Sequence, residues 1–116
     1  MIVRKDSLKP IDFSGLKIYD FTDGLELKSS FAVIQIPPKS QHAESWSTRS
    51  DKYYYIVNGE IQFFLEGKEF KLSEGDFCVV LKGQHFSYKN VRKSSANLIL
   101  VHTPSFNINF EKFIEE

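Results

Sequence analysis

The chain has 116 residues, 15 basic and 15 acidic side chains, and a single cysteine. A chain of this length is expected to form one domain with its own hydrophobic core. Because the net charge is zero, no overall field attracts nucleic acid or an anionic membrane surface, and a small molecule or a second copy of the chain is the expected partner.

The cysteine count and the N-terminal stretch predict a protein of the reducing cytoplasm. Cys78 has no partner for a disulfide within the chain and is expected to be an inert, small apolar side chain. Charged residues interrupt the stretch from Met1 to Pro10, so it does not resemble a signal region. No run of about eighteen apolar residues is present, and we therefore expect no membrane partner.

Short apolar runs that alternate with turn signals predict an all-β domain. The runs recur every eight to twelve residues, as in sandwiches and barrels, and the abundance of Phe and Tyr favours strands. The predicted strands are Leu16 to Phe21, Ser30 to Ile36, Lys52 to Val57, Ile61 to Leu65, Lys68 to Leu72, Phe77 to Leu81, Phe86 to Asn90 and Asn97 to His102.

Two of the connections have the composition of two-residue hairpin turns. Asn58-Gly59 and Glu66-Gly67 place glycine where a type I′ turn needs a positive φ. The strand before Pro37 is expected to end there, because proline cannot donate to a ladder.

Two segments are less regular in sequence. The polar stretch 39–51 contains Trp46 and is expected to be a loop or a strand with irregular ends. The tail from Pro104 to Glu116 alternates Phe and Ile with charges. This tail is predicted to be either a docked edge strand with a short helix or an arm that contacts a partner subunit.

Two sequence motifs identify a family. Six residues separate Lys52 from Gly59, and Gly75, Gly83 and Asn90 follow at fixed intervals. This spacing resembles the cupin family, whose first motif is His-x-His, three or four residues, Glu, six residues and Gly. Its second motif is Gly, five residues, Pro-x-Gly, two residues, His, three residues and Asn. The resemblance covers residues 31–104 and implies a double-stranded β-helix, or jelly-roll barrel, in a single domain 1–116 with a short C-terminal strand or helix.

The resemblance does not extend to the residues that hold the metal in cupins. The ligand positions fall on Lys52, on Phe86, and on either Trp46 and Thr48 or Ser45 and Ser47, depending on the spacing chosen. His85 misses the histidine position of the second motif by one residue. An ammonium group repels a divalent cation, so the resemblance implies a cupin-like protein without the usual metal or any other cofactor.

The register of the first motif predicts a ligand site at the barrel mouth. Because alternate side chains share one face of a strand, Lys52, Tyr54 and Ile56 should point into the barrel. The expected ligand-binding residues are Trp46, Thr48, Lys52, Tyr54, Phe63, Phe86 and Tyr88. A cation among aromatic rings favours a small acidic or sugar-like ligand, bound by a sensor or accessory protein.

Three alternatives remain open at the level of sequence. A metal-independent sugar or organic-acid isomerase, epimerase or lyase would use Tyr54, His85 or Lys52 as its base. A metal-dependent dioxygenase or isomerase would need a relocated site built from His42 and Glu44 with His85 or His102, although the first three are expected to be solvated. A structural dimerisation module is the third.

The resemblance to cupins also implies a homodimer. The large apolar side chains between Phe106 and Ile114 would otherwise be exposed, so this segment is the predicted contact with the partner subunit.

Overall fold

The computed structural model describes residues 1–114, which form two antiparallel β-sheets packed against each other. The strands are β1 Ile11–Phe13, β2 Leu16–Asp20, β3 Ser30–Ile36, β4 Gln41–Ser47, β5 Asp51–Asn58, β6 Glu60–Leu65, β7 Lys68–Ser73, β8 Phe77–Val80, β9 Phe86–Lys89, β10 Ala96–Thr103 and β11 Glu111–Phe113. Single 3₁₀ turns lie at Lys5–Ser7 and Ile108–Phe110. Within this part of the chain, no helix has the length and apolar character needed to cross a membrane.

The two sheets are assembled from strands that are distant in sequence. The six-stranded sheet has the order β1-β2-β3-β10-β5-β8, and the five-stranded sheet has the order β11-β4-β9-β6-β7. Consecutive strands such as β5 and β6 therefore belong to different sheets. This arrangement confirms the predicted all-β jelly-roll barrel.

The core lies between the sheets and follows the period of two that strands impose. Tyr54 and Ile56 on β5 lie beside Leu98 on the neighbouring strand β10 and share one core with Phe63 from β6 of the other sheet, and each of them is almost fully buried. Lys52 is buried on the same face of β5. The predicted register of this strand is thus confirmed.

All eight predicted strands are present, with their ends within one residue of the prediction. Strand β1 was not predicted, because three residues carry too little pattern.

The irregular segment after Pro38 contains β4, whose pairing with β9 shifts register between His42 and Ser45. The C-terminal tail pairs with β4 through β11, which confirms the docked edge strand with a short helical turn. Positions 115 and 116 of that predicted tail lie outside the described residues.

The two predicted hairpin turns have different outcomes. Glu66 and Gly67 both have positive φ, 49° and 79°, and join the paired strands β6 and β7 as expected. The prediction for Asn58-Gly59 was wrong, since the chain passes there from one sheet to the other. Gly59 is required at this corner, because a Cβ atom on it would lie 2.7 Å from the Cα of Ala96.

Candidate functional site

A cavity of about 270 Å³ lies between the two sheets, toward the edge formed by β1, β2 and the C-terminal tail. Apolar side chains from β1, β2, β3 and β10 form much of its wall. The polar and charged residues that line it are Asp20, Ser30, His42, Lys52, Tyr54, Tyr88, His102 and Glu111. Such a mostly apolar space with a few polar groups is the usual form of a small-molecule site.

The C-terminal tail closes one side of this cavity. Phe106, Ile108, Glu111 and Phe113 all line it. The tail is held by backbone hydrogen bonds, which include that from the Thr48 N–H to the Phe110 carbonyl, at 2.8 Å. A segment predicted to contact either its own barrel or a partner subunit is therefore part of the site.

Lys52 points into the barrel and forms an ion pair with Glu111 from the tail. Each of the two side chains is only 5% exposed. The Lys52 Nζ also lies 4.7 Å from the ring centroid of Phe86, in cation–π geometry. Burial lowers the pKa of Lys52 and the Glu111 carboxylate opposes that shift. The sequence argument placed this ammonium correctly but did not identify its anionic partner.

His42 lies on the cavity wall because the irregular pairing of β4 turns it inward. Its Nδ1 is 2.7 Å from the Ala43 carbonyl oxygen, and since a carbonyl only accepts, Nδ1 carries the proton. Nε2 therefore presents a lone pair. Burial lowers the pKa of His42 to about 4; the Ala43 hydrogen bond opposes this shift and the charge of Lys52 adds to it. At neutral pH the imidazole is an uncharged hydrogen-bond acceptor.

Two further groups at the cavity lack partners among residues 1–114. The Tyr88 hydroxyl and the Nε2 atom of His102 are both buried without a hydrogen bond. Burial, together with the nearby Lys52 charge, lowers the pKa of His102 to about 3, and burial raises the pKa values of Tyr54 and Tyr88. Buried polar atoms are normally satisfied, so these two point to a bound ligand or water.

Only part of the predicted ligand-binding set reaches the cavity. Lys52, Tyr54 and Tyr88 line it. The ring of Phe86 lies next to the Lys52 ammonium. Phe63 packs against Phe86 in the core, and the centroids of these two rings are 6.1 Å apart.

The expected placement of Trp46 and Thr48 at the mouth was wrong. Trp46 stacks on His85 at a centroid distance of 4.2 Å, away from the cavity, and Thr48 is exposed. The neighbouring Ser45 and Ser47 are the buried residues on this strand. Thus the longer spacing of the first motif is the one that the fold follows.

The relocated metal site is not assembled in the structure. The Glu44 carboxylate lies 3.1 Å from Nδ1 of His85 on the exposed surface, whereas His42 lies inside, so the expectation that His42 is solvated was wrong. Among the described residues, no three His, Cys, Asp or Glu side chains are placed to share a metal ion.

The positions at which the family's ligands would lie do not fit a metal either. They are occupied by two serines, a lysine and a phenylalanine, namely Ser45, Ser47, Lys52 and Phe86. None is an imidazole or carboxylate, and the lysine adds a positive charge.

The two buried histidines predict an acid-sensitive fold. Their folded pKa values, about 4 for His42 and about 3 for His102, lie below the 6.5 of an unfolded chain. The unfolded state therefore binds more protons as pH falls below about 6.5, so the free energy of unfolding should decrease from pH 7 toward pH 4. Urea titrations at several pH values measure this slope, and a His42→Gln, His102→Gln double variant should show a clearly smaller one. An equal slope would contradict the burial of both rings.

Comparison with known proteins identifies the family. Residues 32–102 match Cupin_2, described as a cupin domain. The chain belongs to the cupin family. An uncharacterized protein of Aquifex aeolicus (strain VF5) is 28% identical over 69 residues, which are 60% of this chain. The match spans only 56% of that relative's length.

Solved structures share the whole fold at low sequence identity. Streptomyces Pac13, described as a nucleoside dehydratase, superposes with a TM-score of 0.86 at 16% identity, over 99% of this chain and 91% of that one. KdgF from Halomonas sp. gives 0.82 at 15% identity, over 94% and 97%. A predicted oxalate decarboxylase from Thermotoga maritima gives 0.80 at 23% identity, over 90% and 99%. At these identities the similarity concerns the fold alone.

Proposed function

We propose that this cupin is a lyase or isomerase that moves protons with its own side chains, without a divalent metal, on a small uncharged molecule. The observation that carries the proposal is the state of His42. Its Nδ1–H is fixed on the Ala43 carbonyl, so a neutral Nε2 lone pair is available at the wall of a cavity. This is the arrangement of a general base whose second nitrogen is held by the backbone.

The volume of the cavity limits the size of the substrate. At about 270 Å³ it lies just below the range of roughly 300–1,000 Å³ that is usual for small-molecule sites. A single sugar or a nucleoside is a suitable size. The lining of aromatic rings and hydroxyls suits a molecule that has both a flat or apolar face and hydroxyl groups.

The charges in the cavity favour an uncharged substrate. Lys52 is already paired with Glu111, so a carboxylate ligand would have to displace Glu111 or lie beside it. His42 and His102 are neutral at pH 7 because of burial and supply no positive charge. This is the physical reason to prefer a hydroxyl- or carbonyl-bearing ligand to the acidic one that the sequence suggested.

The same groups can support an elimination or an isomerisation. His42 Nε2 would take a proton from a carbon next to a carbonyl while the Tyr54 and Tyr88 hydroxyls, kept protonated by their raised pKa values, donate to the developing oxyanion. Negative charge on the ligand then offsets the cost of a buried imidazolium. In a dehydration, a C–C double bond forms, a β-hydroxyl leaves, and the proton returns to it to give water. In an isomerisation, the proton is returned to a neighbouring carbon.

Pac13 supports this choice of chemistry. It is described as a nucleoside dehydratase, and its structures with uridine include variants in which a histidine or one of two tyrosines is replaced. A cavity in this chain that presents one histidine and two tyrosines is consistent with a related reaction.

Ligand binding provides the test of the substrate class. We expect uridine or an uncharged monosaccharide to raise the thermal midpoint, and glucose to do so more than glucuronate, which differs by one carboxylate. The Tyr88→Phe variant should bind about tenfold more weakly, which corresponds to 1.4 kcal/mol. Tyr55→Phe, on the outer face of the same barrel, is the matched control. A larger shift with glucuronate, or no loss in Tyr88→Phe, would contradict an uncharged ligand in this cavity.

A binding protein without catalysis is the second candidate. It is favoured by the pKa of about 4 for His42, which makes the imidazole a good hydrogen-bond acceptor but a weak base. A sensor of this kind would bind the same ligands and leave them unchanged.

A further inference from the structure

Strand β3 carries small side chains where it forms the wall of the cavity. Ile34 fills the core further along this strand, but Ser30 and Ala32, on the same inward face, leave space above them. The ladders place Asp20 on β2 beside Ala32, and His102 on β10 beside Ser30. All four of these small and polar residues line the cavity. We call the space over Ser30 and Ala32, between Asp20 and His102, the β3 notch.

One side of the β3 notch is a carboxylate with an unused oxygen atom. Oδ1 of Asp20 accepts hydrogen bonds from the backbone N–H and from the hydroxyl group of Thr22, at 2.9 and 3.0 Å, and these bonds orient the side chain. The other oxygen, Oδ2, accepts no hydrogen bond from any of residues 1–114. Because a carboxylate can only accept hydrogen bonds, a group that satisfies Oδ2 has to be a donor.

The other side of the β3 notch is the imidazole ring of His102, which is only 6% exposed. Its Nε2 atom is buried and has no hydrogen-bond partner within the described part of the chain. The ring of Phe106 packs edge-on against the imidazole at a centroid distance of 5.2 Å. Buried polar atoms are normally satisfied, and Nε2 of an uncharged imidazole donates or accepts according to its tautomer. A hydroxyl group can bond to either form.

We propose that the β3 notch binds two neighbouring hydroxyl groups of the ligand, such as the diol of a ribose or another sugar, with Asp20 and His102 each holding one of them. This assignment rests on the proposed function, which makes the ligand a small uncharged molecule. Since β3 lies between β2 and β10, the backbones that carry the two side chains are roughly 10 Å apart. A pair of adjacent hydroxyl groups bridges such a gap better than a single atom does.

The surroundings of the notch favour a diol over an amine. An ammonium group could also donate to Asp20, but the ladder places Lys52 beside His102, and like charges repel in a buried site. The notch belongs to the six-stranded sheet, whereas His42 lines the cavity from the five-stranded sheet. A ligand held by its diol therefore directs another of its carbon atoms toward the proposed base.

Ligand pairs that differ only in the diol test the subsite. In titration calorimetry, uridine should bind the wild-type chain at least tenfold more tightly than 2′-deoxyuridine, because the lost hydroxyl leaves a buried group without its partner. The fragment cis-1,2-cyclopentanediol should likewise bind more tightly than cyclopentanol. The imidazole NMR signals of His102, assigned by their loss in His102→Phe, should shift with the diol and much less with cyclopentanol.

Two variants separate diol binding from a structural role. Asp20→Asn keeps the Oδ1 acceptor for Thr22 and replaces Oδ2 by an amide donor, and His102→Phe keeps a ring without its nitrogen atoms. Each should weaken the binding of uridine at least tenfold and leave that of 2′,3′-dideoxyuridine nearly unchanged, whereas a structural role would weaken both alike. Asp12→Asn is the matched control, since Asp12 accepts from the Gly15 N–H in a turn outside the cavity. If His102→Phe does not fold, Asp20→Asn and the ligand pairs still decide.

Three results would overturn the diol subsite. One is equal affinity of the wild-type chain for uridine and 2′,3′-dideoxyuridine, and another is an equal loss of both ligands in Asp20→Asn. The third is no binding of uridine or of the diol fragment at about 10 mM, well above the millimolar Kd of a weak ligand. Failure of the proposed reaction looks different. Diol selectivity without chemical change of any bound ligand would leave the subsite standing, and chemical change without diol selectivity would refute the subsite alone.

Discussion

Glu111→Gln is expected to lower the free energy of unfolding by roughly 3–5 kcal/mol, the usual cost of removing one partner from a buried ion pair. The Lys52 ammonium would remain in the core with neither its carboxylate nor water around it. The loss should be largest near neutral pH. As pH rises, the folded variant loses the Lys52 proton at a lower pH than folded wild type, in which the Glu111 carboxylate opposes the lowering of the pKa, so the difference between variant and wild type should shrink. Urea denaturation at pH 7 and pH 9.5 measures both effects.

Two controls separate this effect from simple loss of a surface contact. Glu60→Gln removes the carboxylate that pairs with the exposed Lys71 and Arg92 and should cost no more than about 1 kcal/mol. A Lys52→Met, Glu111→Leu double variant should recover most of the lost stability, because apolar residues can replace a buried pair. Equal losses in Glu111→Gln and Glu60→Gln would show that Lys52 has access to water.

The strands were predictable from sequence because their signals are local. Alternation over five to eight residues, bounded by Gly or Pro, defines β3, β5 and β10 without reference to the rest of the chain. The Asn58-Gly59 turn shows the limit of that information. A glycine with positive φ is compatible with a hairpin and with a corner between sheets, and only the distant Ala96 packed against Gly59 decides between them.

The cavity was less predictable because it depends on contacts between distant segments. Lys52 and Glu111 are 59 positions apart, and the carboxylate reaches the ammonium only because β11 pairs with β4. Within the tail, Glu111 and Phe113 have the two-residue spacing of side chains on one strand face, and this was the available signal. The inward placement of His42, which the sequence suggested only as a solvated candidate metal ligand, was not predicted, because it depends on the irregular pairing of β4 and a shift of register has no reliable signature in one sequence.

His42 is the residue on which the proposed chemistry depends most. In D₂O, wild type should replace a carbon-bound hydrogen of a bound carbonyl-bearing ligand by deuterium, whether or not the reaction goes to completion. His42→Gln should slow this exchange by at least a hundredfold, because general bases typically contribute 10²–10⁴ in rate. Glutamine keeps a polar side chain at the cavity wall but cannot accept the proton. The substitution should therefore change the affinity for the ligand far less than it changes the rate of hydrogen exchange. Proton NMR follows the exchange, and titration calorimetry follows the binding.

His85→Gln is the matched control, since His85 stacks on Trp46 outside the cavity and should leave both exchange and binding unchanged. The pH profile adds a readout that a structural role for His42 would not produce. The rate of hydrogen exchange should fall as the pH drops through the range in which Nε2 of His42 takes up a proton in the enzyme–ligand complex. The residual exchange of the His42→Gln variant should not show this pH dependence.

Unaltered ligand with wild type, together with normal binding, would support the sensor instead. Equal exchange in wild type and His42→Gln would assign the base to another residue, with Lys52 next to be tested because its pKa is also lowered by burial.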